Sequence, residues 1–361
     1  MLVPVAAFLL LEGGSSLALL VLDAAGSGER PLARLQHTRY DPELGWSHVP
    51  AIRVDDLYGP GGWLETNRQG FRADHEYAPE VPPGRLRVVC SGDSFTLGYG
   101  VANDQTWCAR LEALDARLES VNMGQAGYGI DQAYLWYRRD GAPLAHDVHV
   151  FAFILDDFRR MQETSFLGYG KPVLAVRNGA LAVENTPVPQ RRFYAGLGER
   201  LAHATGGLRA RELLGRLTGR GDGARPPVRP AAPAQDPVTL ELVGRVLDEL
   251  EAANRAKGSQ LVLLALPTPP DYRGKDSDAW RAFAAREAAA RGIAYLDLVE
   301  GLRRMSRASV EPLFIKPGAL PYRAAVGHLT PLGNDWVARQ LYDYLLAAPA
   351  LASRWPAGAG R

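Results

Sequence analysis

Leu86-Arg-Val-Val-Cys-Ser-Gly-Asp-Ser-Phe95 is a short β-branched run that ends on a Gly-Asp-Ser turn. Leu86 to Cys90 predicts a strand, and the turn after it is where a strand hands over to a helix. Downstream, Trp107, Leu111, Leu114 and Leu118 fall at i, i+4, i+7 and i+11, one stripe of a helix. Val121-Asn-Met predicts a second strand, and residues 131–139 a helix. Val148 to Leu155 is interrupted only by His149, so it reads as a strand covered on both faces. Residues 239–256 predict a helix, Leu261 to Leu266 a strand, 279–291 a helix, Ile293 to Leu298 a strand, and Asp335 to Leu346 a last helix. Strands alternating with helices imply βαβ units, hence five parallel strands with helices on both faces. Ligands of such sheets bind beyond the carboxyl ends of the strands.

Length and composition bound the rest. The 361 residues allow two domains or one α/β domain with insertions. Apolar residues are 47% and charged residues 22%, which is globular and excludes bulk disorder. Lys plus Arg is 41 against 40 for Asp plus Glu, so no basic field offers itself to nucleic acid. Two cysteines, Cys90 and Cys108, are too few for a disulfide framework or a cysteine zinc site and read as buried thiols. His146 and His149, at i, i+3 on entry to a strand, face different sides and make no metal pair; no phosphate loop or dinucleotide fingerprint occurs, and no cofactor is expected.

Two segments stand outside the βα rhythm. Residues 1–22 are apolar apart from Glu12-Gly-Gly-Ser-Ser16, and Asp23 and Ala24 complete the segment 1–24. As a helix, 22 residues reach about 33 Å, so this stretch predicts a membrane anchor rather than a signal peptide, which needs a basic n-region. Residues 159–238 separate the third and fourth strands. They predict an insertion over the sheet edge: a hairpin around Asn178-Gly179, then a Gly/Pro/Ala-rich linker over 219–237. The α/β core would then occupy 38–158 and 239–348.

Chemistry gathers at the strand ends. Ser94 sits on a strand-to-helix turn, where helix amides can hold a developing oxyanion. Taken alone it is also an ordinary capping serine, because a hydroxyl needs a base within reach to become a nucleophile. Asn122-Met-Gly-Gln-Ala-Gly127-Tyr-Gly129 follows the second strand, and its glycines let a backbone amide approach a ligand. Gly327-His328-Leu-Thr-Pro-Leu-Gly333 follows the fifth strand and supplies a base. Trp46, Trp63 and Trp107 read as core residues, with sugar stacking as the other use of such rings.

These blocks together resemble the SGNH (GDSL-type) hydrolase superfamily: Gly92-Asp93-Ser94, Asn122 to Gly127, and His328 with Gly333, in that order. Asp41-Pro-Glu-Leu-Gly-Trp46 and Thr66-Asn-Arg-Gln-Gly-Phe-Arg72 look like the leader of its membrane-anchored bacterial members. The resemblance covers about residues 40–160 and 260–345. It implies a flavodoxin-like three-layer α/β/α fold and a serine esterase. Ser94 would attack an ester carbonyl, His328 would carry the proton, and the amides of Ser94 and Gly127 would hold the oxyanion. Where the family has an oxyanion-donating Asn, this chain has Asp156. Where it has an Asp shortly before the His, this chain has Ala325 and Val326. At i+3 and i+4, Arg159 and Arg160 can fold back onto Asp156, and the i+4 spacing favours Arg160. Asp93, Asn122, Asp157, Arg159 and Arg160 complete the residues expected near substrate. The resemblance implies an O-acyl ester of an extracytoplasmic glycan as substrate. An O-acyltransferase, or a catalytically weakened module for polysaccharide binding or assembly, is the other reading.

Overall fold

A computed structural model of the chain describes residues 2–25, 37–166, 169–189, 235–352 and 354–355. The 190–234 part of the expected insertion and linker lies outside them. The chain divides into two units, one holding residues 1–30 and 190–231, the other the rest.

In the first unit the described element is helix α1, Leu2–Ala25. Val5, Phe8, Leu9, Leu10, Leu11, Leu17 and Val21 are exposed along it. Among the described residues no helix is long and apolar enough to cross a membrane.

The second unit is built on five parallel strands: β5 Leu86–Gly92, β6 Leu118–Gly124, β7 Val148–Phe153, β12 Gln260–Ala265 and β13 Ala294–Asp297. Their order across the sheet is β13-β12-β7-β5-β6, the flavodoxin-like order with its switch point between β5 and β7. Side chains alternate between the faces. Val89, Val121, Phe151, Leu263 and Ala265 fill one core with α4 (Ile130–Trp136), α6 (Pro237–Lys257) and α7 (Asp278–Arg291). Val88, Cys90, Val150, Val262 and Leu264 fill the other with α3 (Trp107–Leu114) and α10 (Pro331–Ala347). Cys90 and Cys108 are free and buried there.

Several expected boundaries move, α10 for one beginning at Pro331 rather than Asp335, and three of the shifts have a local reason. Helix α3 stops at Leu114 because Asp115 is extended (φ −149°), so Leu118 opens β6 instead of closing the apolar stripe. Leu155 opens helix α5 (Leu155–Met161) rather than ending β7, since the Asp157 carboxylate takes the Ile154 amide at 2.9 Å. Leu298 likewise opens α8 (Leu298–Arg303), capped by Asp297.

Residues 38–73 precede the sheet as two hairpins, β1/β2 (Thr38–Asp41, Gly45–His48) and β3/β4 (Ile52–Val54, Leu64–Thr66). They bury Trp46, Tyr58, Leu64 and Phe71 in the first core. Beyond α5, a short β8/β9 pair (Ser165–Phe166, Tyr169–Gly170) leads to the hairpin β10/β11 (Val173–Arg177, Ala180–Glu184). Asn178 and Gly179 turn it with φ of 52° and 79°, the two positive values that a two-residue turn of this hand requires.

Candidate active site

The Gly-Asp-Ser turn forms because Asp93 caps a single helical turn, α2 (Ser94–Leu97), through its Oδ1 and the Phe95 amide at 2.8 Å. Ser94 is the first residue of that turn, so its amide has no intrahelical acceptor. Gly92 of β5 pairs with Gly124 of β6, and the Gln125 amide bonds the Gly92 carbonyl at 3.1 Å. The two strands therefore deliver Ser94 and Gly127 to the same carboxyl edge. A Cβ on Gly124 would lie 1.9 Å from the Leu97 amide nitrogen, so only glycine lets β6 pass this close to α2. Gly127 has φ +78°, a conformation open to glycine.

His328 arrives from the far end of the sheet. The segment before α10 is pinned by Ile315 N to His328 O at 2.8 Å and Thr330 N to Leu313 O at 2.9 Å, and Thr330 Oγ1 caps α10. This brings His328 Nε2 to 2.8 Å from Ser94 Oγ. Nδ1 lies 3.3 Å from the Ala325 carbonyl, which can only accept, so Nδ1 carries the hydrogen and Nε2 presents a lone pair to the serine hydroxyl. The ring stacks on Phe95 with centroids 4.6 Å apart. Burial, with the Arg160 charge nearby, lowers its pKa to about 4, so at neutral pH it is an unprotonated base. The orienting group is thus the backbone carbonyl of Ala325, with no carboxylate at this position.

The acidic residues sort differently from the sequence reading. Asp156 does not pair with Arg160. Its side chain, 47% exposed, meets Arg159 Nη1 at 2.9 Å. Arg160 turns inward instead: Nη1 lies 2.8 Å from Asp157 Oδ1, 3.1 Å from Asp93 Oδ2 and 3.0 Å from the Tyr128 carbonyl. The reason is that Asp157 is already fixed inward by capping α5, which puts the i+3 partner of the buried carboxylate on the inner face. Burial raises the pKa of both Asp93 and Asp157 despite the shared guanidinium. Asp93 Oδ2 is 3.5 Å from Ser94 Oγ, so this buried carboxylate–guanidinium cluster borders the nucleophile directly.

Asn122 does not reach a substrate position. It is buried, its Oδ1 holds the Gly124 amide at 2.9 Å, and its Nδ2 faces the Leu97 carbonyl at 3.4 Å. Trp46 and Trp107 are fully buried, which removes them as sugar platforms; Trp63 is half-buried with the Arg53 guanidinium 4.1 Å over its ring. His146 and His149 do not diverge. His146 precedes β7, so strand alternation does not apply to it, and both rings reach Asn254 at 3.2 and 3.1 Å. A second serine–histidine contact, Ser91 Oγ to His149 Nε2 at 2.7 Å, lies in this buried network. Asn254 Nδ2 donates to His149 Nδ1, so Nε2 holds the hydrogen and Ser91 accepts it; that hydroxyl is not activated. Among the described residues no group of three or more His, Cys, Asp or Glu could hold a metal ion.

Two residues of the leader hairpins matter here without any local signal for it. Arg72, buried, donates to the carbonyls of Leu97 (2.6 Å), Gly98 (2.7 Å), Val101 (2.5 Å) and Trp63 (3.2 Å), and to Asn103 Oδ1 (2.8 Å). It thereby ties down the loop that leaves α2. Trp46 Nε1 donates to the Ala126 carbonyl at 2.9 Å, in the loop that carries Gly127.

No family model and no curated protein matches the chain. Solved structures do resemble it. A G-D-S-L family lipolytic protein from Desulfitobacterium hafniense shares 14% identity over 72% of this chain and 99% of its own, with a TM-score of 0.40. A lipase/acylhydrolase from Enterococcus faecalis shares 12% over 76% and 100%, at 0.41. A catalytic mutant of an acetylxylan esterase from Geobacillus stearothermophilus shares 11% over 72% and 93%, at 0.39.

Proposed function

We propose that this chain is a serine ester hydrolase. The carrying observation is the contact of Ser94 Oγ with His328 Nε2 at 2.8 Å, with Nδ1 turned to the Ala325 carbonyl, at the carboxyl edge of the sheet. His328 takes the hydroxyl proton as Ser94 Oγ bonds to the ester carbonyl carbon. The tetrahedral oxyanion rests on the amides of Ser94 and Gly127. His328 then protonates the leaving alcohol as the ester C–O bond breaks. Water repeats the sequence on the acyl-enzyme, with His328 again the base, and releases the acid. All proton transfers run through one residue, which the lone pair on Nε2 permits.

The substrate reading is an O-acyl ester of an extracytoplasmic glycan, with the exposed apolar side chains of α1 attaching the chain to a membrane without crossing it. It rests on the resemblance of the leader motifs to anchored bacterial members and on the apolar run of α1. Water and a sugar hydroxyl compete for the same acyl-enzyme, which keeps acyl transfer within this reading. The non-catalytic reading draws on an exposed carboxylate, Asp156, at the position where the family places an oxyanion donor, and on Ala325 and Val326 where it places a carboxylate before the histidine. Turnover of p-nitrophenyl acetate by the full chain, with loss of at least about a hundredfold in Ser94→Ala, is the expected result. Equal rates in the two proteins, with no fluorophosphonate labelling of Ser94, select the binding module.

A further inference from the structure

We propose that Trp46 is a positioning residue for the oxyanion site, acting through the Ala126–Gly127 peptide. The inference rests on the hydrolase reading above and concerns how its Gly127 donor is held. Trp46 lies in the β2 strand of the first leader hairpin and is fully buried. Its indole N–H donates to the Ala126 carbonyl at 2.9 Å. That carbonyl and the Gly127 amide belong to one planar peptide, and among the described bonds only Thr186–Pro187 is cis. In a trans peptide the C=O and N–H point in opposite directions. Holding the carbonyl on the indole therefore fixes the line along which the Gly127 N–H leaves the loop.

The hold is needed because of what makes the loop usable. Gly127 sits at φ +78° and has no side chain to restrict it, so its peptide can rotate cheaply between orientations. A donor that wanders is a poor oxyanion stabiliser, since the advantage of such donors is that they need no reorganisation. The strand holds the loop at a second point: Tyr128 Oη donates to the Trp46 carbonyl at 2.5 Å, and its ring meets the indole edge-on with centroids 5.7 Å apart.

The test uses the full chain and p-nitrophenyl acetate. Trp46→Phe keeps an aromatic ring and removes the N–H; Tyr128→Phe removes the second hold with a smaller change of shape. Expected for Trp46→Phe is a fall in kcat of about tenfold with KM within twofold. Phenylboronic acid, whose tetrahedral serine adduct places an oxygen in the oxyanion site, should lose affinity by a similar factor. Tyr128→Phe should move both readings the same way by a smaller factor. A merely structural role would lower the melting temperature and leave boronate affinity of the folded fraction unchanged. The proposal is overturned if either folded variant keeps wild-type kcat and boronate affinity, or if the loss falls on KM alone. An inactive wild type that binds no boronate overturns the hydrolase reading itself, and this inference with it.

Discussion

Asp156 shows how one side chain can be read wrongly by spacing alone. A carboxylate at i and arginines at i+3 and i+4 leave the pairing open, and the i+4 partner is the better one on an isolated helix. Here the choice belongs to Asp157, which caps α5 and draws Arg160 inward, leaving Arg159 for Asp156. An exposed pair of this kind contributes about 0–1 kcal/mol. Asp156→Asn should therefore change p-nitrophenyl acetate turnover by less than about threefold. A tenfold rise would mean that the carboxylate opposes the oxyanion. His328 makes a second residue-level prediction. Its pKa is lowered to about 4, so the base stays neutral well below the usual histidine range. The acid limb of kcat/KM should fall near pH 4 in a stopped-time assay on folded protein, and a limb at 6.5 would show an unburied imidazole.

At the scale of elements, the described part of the insertion is a docked structure. Lys171, between β9 and β10, is fully buried, pairs with buried Asp131 of α4 at 2.6 Å and donates to the Arg160 carbonyl at the end of α5. The hairpin's far side is held by the Val188 amide on the Pro42 carbonyl at 2.6 Å. Lys171→Met leaves Asp131 buried and unpaired. It should cost about 3–5 kcal/mol in urea unfolding. The double variant Lys171→Met/Asp131→Leu should recover much of that loss. If the single variant unfolds at the wild-type midpoint, the pair does not anchor the hairpin. At the same scale, Thr330→Ala removes the cap of α10 just after His328 and should cost about 1 kcal/mol.

The whole molecule carries a histidine-dependent acid response. Burial lowers His37 to about 3 and His48 to about 4, lowers His146, and lowers His149 far below its usual value, alongside His328. Each is neutral in the folded chain and takes up a proton near pH 6.5 when unfolded. Between about pH 6.5 and 4 the unfolded state thus binds more protons, and stability falls as pH falls. Asp93, Glu112, Asp131 and Asp157, all raised by burial, work in the opposite sense, four groups against five. The melting temperature should be level from pH 8 to 7 and drop steadily below 6.5. A level profile down to pH 5 would mean that these histidines are solvated.

Much was legible in the chain itself, for reasons of periodicity. The apolar runs Leu86–Cys90, Val148–Phe153 and Leu261–Ala265 can be satisfied only between two helical layers, and the Asn178-Gly179 pair suits only one kind of turn. The Gly-Asp-Ser segment stands at a strand end by simple counting, whereas Gly327-His328 lies about 30 residues beyond the end of β13 and reaches the sheet edge only through the fold. What tertiary structure decided is everything that depends on which groups meet across long separations. Ser94 and His328 are 234 residues apart, and only the strand order brings them together. Arg72 and Trp46 carry no local mark of their roles, because an arginine or an indole is read by what surrounds it. Their donors meet backbone carbonyls, which every residue possesses, so no pattern of side chains can announce the contact.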